Sequence, residues 1–230
     1  MTTFALIPGA DGRARYWHRV VPELTARGHR AVTMDLPEDP HAGLGAYAEL
    51  VVGAVGSPPY PGGLVLVAQS LAGFFAPLVA ELLPVDGIVL VNAMVPEPGE
   101  TAGEWWDDTG QPAARRAFAV AQGRDPDAPF DLRTDFFHDV PEEITAEALA
   151  APASGPSDAL FADPWPLLSW PDVPTRFLQG REDRFFPLAF QRRVVRDRLG
   201  LAVEEIPGGH LPALSRPVEL ADRLCAPRTA

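Results

Sequence analysis

The stretch Leu64-Val65-Leu66-Val67-Ala68-Gln69-Ser70-Leu71-Ala72-Gly73-Phe74 constrains this chain more than any other. Its first four residues form an apolar run of the length of a fully buried strand. Beyond Ser70, the residues Phe75, Leu78, Val79, Leu82 and Leu83 recur at helical spacing. The pattern predicts strand, sharp turn and helix, with Ser70 at the apex. In such a turn the strand and helix backbones nearly touch, so the residues two before and two after the apex must be small. Ala68 and Ala72 fill those places. Glycine is the commoner occupant, and alanine suits an αL-like backbone less well. A serine at this apex holds its hydroxyl clear above the sheet, where a nucleophile is wanted. The plain alternative is a buried strand–turn–helix with an incidental serine.

Around this centre the sequence alternates short apolar runs with helical periodicity. Phe4–Ile7 reads as a strand stopped by Pro8-Gly9-Ala10-Asp11-Gly12, and a helix is expected over 14–27. Ala31–Met34 is a second strand, and a helix follows around Leu44–Val55. Gly87–Val91 is a further buried strand, ending at Asn92. Strand–helix alternation implies a parallel, doubly wound α/β sheet with helices on both faces. Ligands of such sheets bind beyond the carboxyl ends of the strands. The alternation lapses over about 96–172, a stretch rich in Pro, Gly, Asp and aromatics, with short helices expected near 113–121 and 142–150. It reads as an inserted helical cap over the strand ends, because so long and apolar a connection is not a disordered one. Alternation resumes with Thr175–Gln179, a helix over 188–199, the strand Leu201–Ile206, and a last helix to about Cys225. The expectation is one domain over 1–230, with its core in about 1–95 and 173–230.

Composition removes several classes of function. A net charge of −12 argues against nucleic acid or an anionic membrane as the main partner. All 19 basic residues are arginine, so chemistry that needs a lysine is excluded. A single cysteine, Cys225, allows neither an intrachain disulfide nor a cysteine metal cluster. No run approaches the roughly 20 apolar residues of a membrane span. The first residues lack a charged segment followed by a long apolar one, which leads to the expectation of a cytoplasmic enzyme.

Three chemistry-bearing residues stand just after three different expected strands, in the order Ser70, Asp183, His210. A serine hydroxyl is a poor nucleophile until a base accepts its proton, and the base needs a third group to hold its tautomer. Serine, then acid, then histidine is the chain order of the α/β-hydrolase arrangement. Asn92 cannot ionise, and Glu182 is the neighbouring alternative to Asp183. His18 and His29 read as surface or packing residues, and His41 lies in a loop.

The sequence resembles the α/β-hydrolase-fold group that contains small plant-type esterases, hydroxynitrile lyases and their bacterial relatives. The matching segments are Ile7-Pro8-Gly9-Ala10, Ala68-Gln69-Ser70-Leu71-Ala72-Gly73, Gly180-Arg181-Glu182-Asp183-Arg184-Phe185-Phe186-Pro187 and Gly208-Gly209-His210-Leu211-Pro212. Pro8 stands where the group usually has histidine. The resemblance implies an oxyanion hole made by the N–H groups of Ala10 and Leu71, the latter at the start of a helix. It implies hydrolysis of a carboxylic ester or thioester of a small hydrophobic substrate, with no cofactor or metal. Cyanohydrin cleavage by the plant members leans on an active-site lysine that this chain lacks. A ligand-binding or biosynthetic helper protein of the same fold is the alternative from another class. For the substrate pocket the expected lining is Gln69, Phe74, Trp105, Trp106 and His138, with Trp105-Trp106 at the entrance. The bland alternative for each aromatic is a small satellite core. The sequence leaves oligomeric state open.

Overall fold

The computed structural model describes residues 1–151 and 155–226. Residues 152–154, inside the expected insertion, and 227–230, at the end of the expected domain, lie outside the described residues. Six strands, β1 (Thr3–Ile7), β2 (Arg30–Thr33), β3 (Leu64–Gln69), β4 (Gly87–Val91), β5 (Thr175–Gly180) and β6 (Val203–Ile206), form one sheet in the order β2-β1-β3-β4-β5-β6. Every neighbouring pair is parallel. The chain steps outward from β1 to β2 and then returns to lay β3 on the other side of β1. That reversal opens a crevice at the carboxyl ends of β1 and β3, the place where such sheets bind ligands.

Side chains alternate between the faces with period two. Ala5, Ile7, Leu64, Leu66, Ala68, Ile88, Leu90 and Phe177 enter one core, with helices α2 (Leu44–Val55), α3 (Ala76–Leu82) and α8 (Leu188–Leu199). Phe4, Leu6, Val65, Val67, Val89, Val91, Leu178 and Ile206 enter the other, beneath α1 (Val20–Ala26), α9 (Pro212–Ser215) and α10 (Pro217–Cys225). Both faces are dry, which explains why the inner strands read as unbroken apolar runs rather than alternating ones.

Three helices are more broken than their periodicity predicts, and a proline accounts for each. A continuous helix over 14–27 would put Pro22 in its interior, where proline loses a backbone bond and clashes with the carbonyl four residues earlier. The chain instead makes a 3-10 turn at Ala14–Trp17 and starts α1 afresh at Val20. Pro77 does the same after the central turn: a 3-10 turn over Ser70–Phe74 precedes α3. Pro217 separates α9 from α10.

Between β4 and β5 lie α4 (Trp105–Thr109), α5 (Gln111–Ala121), α6 (Glu142–Ala150) and α7 (Asp158–Ala162), with a π-helical turn at Leu132–Phe136. The five-residue helices α4 and α7 are too short to show periodicity, but both carry capping signals. Thr101 and Glu104 exchange bonds with each other's backbone N–H at 3.0 and 3.1 Å, a capping box ahead of α4. Ser157 caps α7 by accepting from the Leu160 N–H at 3.0 Å.

Candidate active site

The β3 turn delivers Ser70 in a conformation that non-glycine residues rarely adopt, with φ at +52°. Such backbone costs on the order of 1–3 kcal/mol and persists only when its surroundings hold it. Here the Met94 N–H donates to the Ser70 carbonyl at 2.9 Å. Close approach of other atoms, backbone at Gly73 and side chain at Gly9, explains the neighbouring glycines. A Cβ on Gly73 would lie 1.9 Å from the Met94 carbonyl oxygen. A Cβ on Gly9 would lie 2.1 Å from the Gln69 Oε1, so glycine there lets the loop after β1 close onto the turn. Ala10 is thereby brought to the same cavity as Ser70 and Leu71. Leu71 is the second residue of the 3-10 turn, so its N–H precedes any intrahelical acceptor. This turn is short and ends before α3, so the dipole at Leu71 is weaker than that of the continuous helix the periodicity predicts.

His210 and Asp183 reach the turn from the loops after β6 and β5. The His210 Nε2 is 3.1 Å from the Ser70 Oγ, and its Nδ1 is 2.9 Å from the Asp183 Oδ2. Asp183 is fully buried, and its other oxygen accepts from the Phe185 and Phe186 N–H groups at 2.8 and 2.9 Å. Those bonds hold the carboxylate with one oxygen facing the imidazole. Of the rivals, Asn92 is structural: its Nδ2 donates to the Gly209 and His210 carbonyls at 2.9 and 3.0 Å, and its Oδ1 accepts from the Gly180 N–H. Glu182 accepts from the Gly208 N–H at 2.5 Å and so braces the histidine loop. A hydroxyl on one imidazole nitrogen and a buried carboxylate on the other can turn the hydroxyl into a nucleophile.

Above Ser70 opens a cavity of about 500 Å³. Its wall is mostly aromatic and aliphatic, including Trp106, Phe130, Phe136, Phe137, Phe161 and Phe185. Ser70 itself is only 7% exposed, so its hydroxyl looks into this cavity rather than standing free above the sheet. Of the expected lining, Gln69 and Trp106 are present and three residues are not. Trp105 is fully buried: its Nε1 donates to the Val95 carbonyl at 3.0 Å and its ring packs edge-on against Phe186 and Phe190. Phe74 is fully buried in the core on the α3 face of the sheet. His138 turns away from the cavity, with its Nε2 against the backbone of Gly209. Neighbours in sequence thus have opposite fates, because α4 buries Trp105 and leaves Trp106 to the cavity.

Two features lay outside the sequence expectations. Phe136 stacks on the His210 imidazole, with centroids 4.5 Å apart and planes at 23°, while Phe185 and Phe186 meet it edge-on. Asp11, which keeps exposed surface at the cavity wall beside Ala10, has its carboxyl pushed up to about 6 because the protein around it displaces part of its water, against the pull of the Arg13 backbone N–H and the charges of Arg13 and Arg15. The paired phenylalanines after Asp183 were the only sequence signal for the first; nothing marked Asp11. Among the described residues no group of three or more His, Cys, Asp or Glu could hold a metal ion. Among them, too, no helix is long and apolar enough to cross a membrane.

A family model described as "Alpha/beta hydrolase family" matches residues 4–223. The pyrethroid hydrolase of Sphingobium wenxiniae is 28% identical over 245 residues, covering 97% of this chain and 86% of that protein. A probable esterase of Oryza sativa subsp. japonica, PIR7A, is 26% identical, covering 96% of this chain and 94% of its own. Among solved structures, polyneuridine aldehyde esterase superposes with a TM-score of 0.78 at 21% identity, covering 97% and 98% of the two chains. A pyrethroid hydrolase from Sphingobium faniae JZ-2 follows at a TM-score of 0.75 and 25% identity, covering 97% and 95%.

Proposed function

This chain belongs to the alpha/beta hydrolase family, and from that premise we propose that it hydrolyses a carboxylic ester or thioester of a hydrophobic substrate through an acyl-enzyme on Ser70. The reading rests on one observation: Ser70 Oγ, His210 and Asp183 lie in one hydrogen-bonded line whose Ser70 and His210 members border an apolar cavity, with Asp183 buried behind them. His210 Nε2 takes the Ser70 proton as Oγ attacks the ester carbonyl. Asp183 keeps the other imidazole proton on Nδ1 and stabilises the imidazolium. The N–H groups of Ala10 and Leu71 receive the oxyanion, each worth about 3 kcal/mol in the transition state. His210 then returns its proton to the leaving alcohol or thiol. It next draws a proton from water, whose oxygen attacks the acyl carbon; the imidazolium gives that proton to Ser70 Oγ as the acyl bond breaks, which frees the acid and restores the enzyme.

The cavity favours a bulky, aryl-bearing ester, since its volume is that of a drug-sized ligand and its wall is aromatic. The names of the pyrethroid hydrolase relatives point the same way. In this reading the segment 96–172 is a cap on a single domain, and Trp106 and Gln69 border the substrate. The test is turnover of p-nitrophenyl esters of graded acyl length and of a bulky aryl ester, wild type beside Ser70→Ala. Multiple turnovers that fall by at least ~10³-fold in the variant are expected. A rate that the variant leaves untouched would remove Ser70 from the chemistry.

A further inference from the structure

The His210 loop is held by side chains from two sources. From the carboxyl ends of β3, β4 and β5, Glu182 accepts from the Gly208 N–H, Asn92 donates to the Gly209 and His210 carbonyls, and Gln69 donates to the His210 carbonyl at 3.3 Å. The remaining hold comes from the segment between β4 and β5. Asp139 Oδ2 accepts from the Gly209 N–H at 2.9 Å. Three residues earlier, Phe136 stacks on the imidazole itself. Between them, His138 lies so close to Gly209 that a Cβ there would sit 2.6 Å from its Nε2 and 2.8 Å from the Asp139 Oδ1. That contact explains the second glycine of Gly208-Gly209-His210, which no catalytic role requires.

We infer that Asp139 is a positioning residue for His210. Together with Phe136 it clamps the Gly209–His210 backbone and ring, so the imidazole is aligned on Ser70 only while the insertion is docked. The inference rests on His210 being the base proposed above. Asp139 is absent from the cavity wall, so it acts on the chemistry through another residue. Its action runs through one backbone N–H, next to the residue whose Nε2 must stay within about 3 Å of Oγ. A misplacement of about 1 Å at such a centre can cost on the order of 10²-fold in rate.

The experiment compares wild type with Asp139→Ala and the isosteric Asp139→Asn, whose amide oxygen can still accept from the Gly209 N–H. Asp139→Ala is expected to lower kcat by roughly 10- to 100-fold with KM changed less than about threefold. Asp139→Asn should recover most of the loss. A second readout does not depend on turnover: the downfield proton resonance of the His210–Asp183 hydrogen bond should be sharp in wild type and Asp139→Asn, and broadened or lost in Asp139→Ala. An alanine variant with unchanged kcat and an unchanged resonance overturns the inference, as does a loss confined to KM. An asparagine variant as impaired as alanine overturns the assignment to this hydrogen bond. If wild type shows no turnover that depends on Ser70, the functional reading fails, while the resonance still decides the role of Asp139.

Discussion

Replacing Asp183 by asparagine isolates the tautomer of His210, because the surroundings dictate which way the amide must face. One carboxylate oxygen accepts from the Phe185 and Phe186 N–H groups at 2.8 and 2.9 Å. The other faces His210 Nδ1 at 2.9 Å and Gln179 Nε2 at 3.2 Å. An asparagine with its oxygen toward the two backbone donors keeps both bonds. The flipped amide would point its NH₂ at them and leave two buried donors unpaired, at about 1–3 kcal/mol each. The unflipped form therefore dominates, and its NH₂ faces the imidazole. His210 must then accept at Nδ1 and carry its proton on Nε2, where it cannot take a proton from Ser70. The expected loss in kcat is about 10⁴-fold, or roughly 5.5 kcal/mol of barrier. KM should change little, because Asp183 is absent from the cavity wall. Gln179 Nε2 would face a second donor, so the melting temperature should fall by a few degrees at most, in line with about 1 kcal/mol. The assay is p-nitrophenyl butyrate hydrolysis, with near-ultraviolet circular dichroism to check the fold. A kcat within tenfold of wild type, in a folded variant, would refute the assignment of Asp183 as the group that orients His210.

Three further outcomes follow from particular residues. Trp105→Ala should cost about 3–5 kcal/mol in urea unfolding, since a fully buried indole and its hydrogen bond are lost. Trp106→Ala should cost on the order of 1–2 kcal/mol, because Trp106 is only partly buried, and should shift the rate ratio of bulky to small esters; equal destabilisation by the two would contradict the burial contrast. Asp11→Asn should stabilise the protein at neutral pH. Partial loss of solvent raises the Asp11 carboxyl from 3.8 to about 6 although the residue keeps exposed surface, so the folded chain resists an ionisation that the unfolded chain accepts. Wild-type stability therefore falls as pH rises through that window, with the full penalty present above it. Linkage puts the whole rise at no more than ~3 kcal/mol, and solvent in the cavity mouth screens it to about 1 kcal/mol. Denaturant titrations should show that gain at pH 7.5 and almost none at pH 4; equal stabilities at both would refute it.

Much of this protein is local and so was readable from the chain alone. Buried parallel strands need unbroken apolar runs, and a tight strand-to-helix turn needs small residues at fixed offsets; both are written in Leu64–Gly73. The order Ser70, Asp183, His210 is equally a property of the chain, because each residue lies at or shortly after the end of its strand. The break points of the helices were legible too, in Pro22, Pro77 and Pro217, once proline's missing donor is weighed above periodicity. Tertiary structure alone decided what the insertion does. Trp105 and Trp106 are indistinguishable as letters, and a five-residue helix separates them into core and cavity wall. Phe136 meets His210 and Asp139 meets Gly209 across about 70 residues of chain, and Asp11 owes its raised carboxyl to the protein around it. Periodicity reports which side of an element is dry. It carries no information on which surfaces of two elements, distant in sequence, come to rest against each other, and here that contact builds the cavity and grips the histidine.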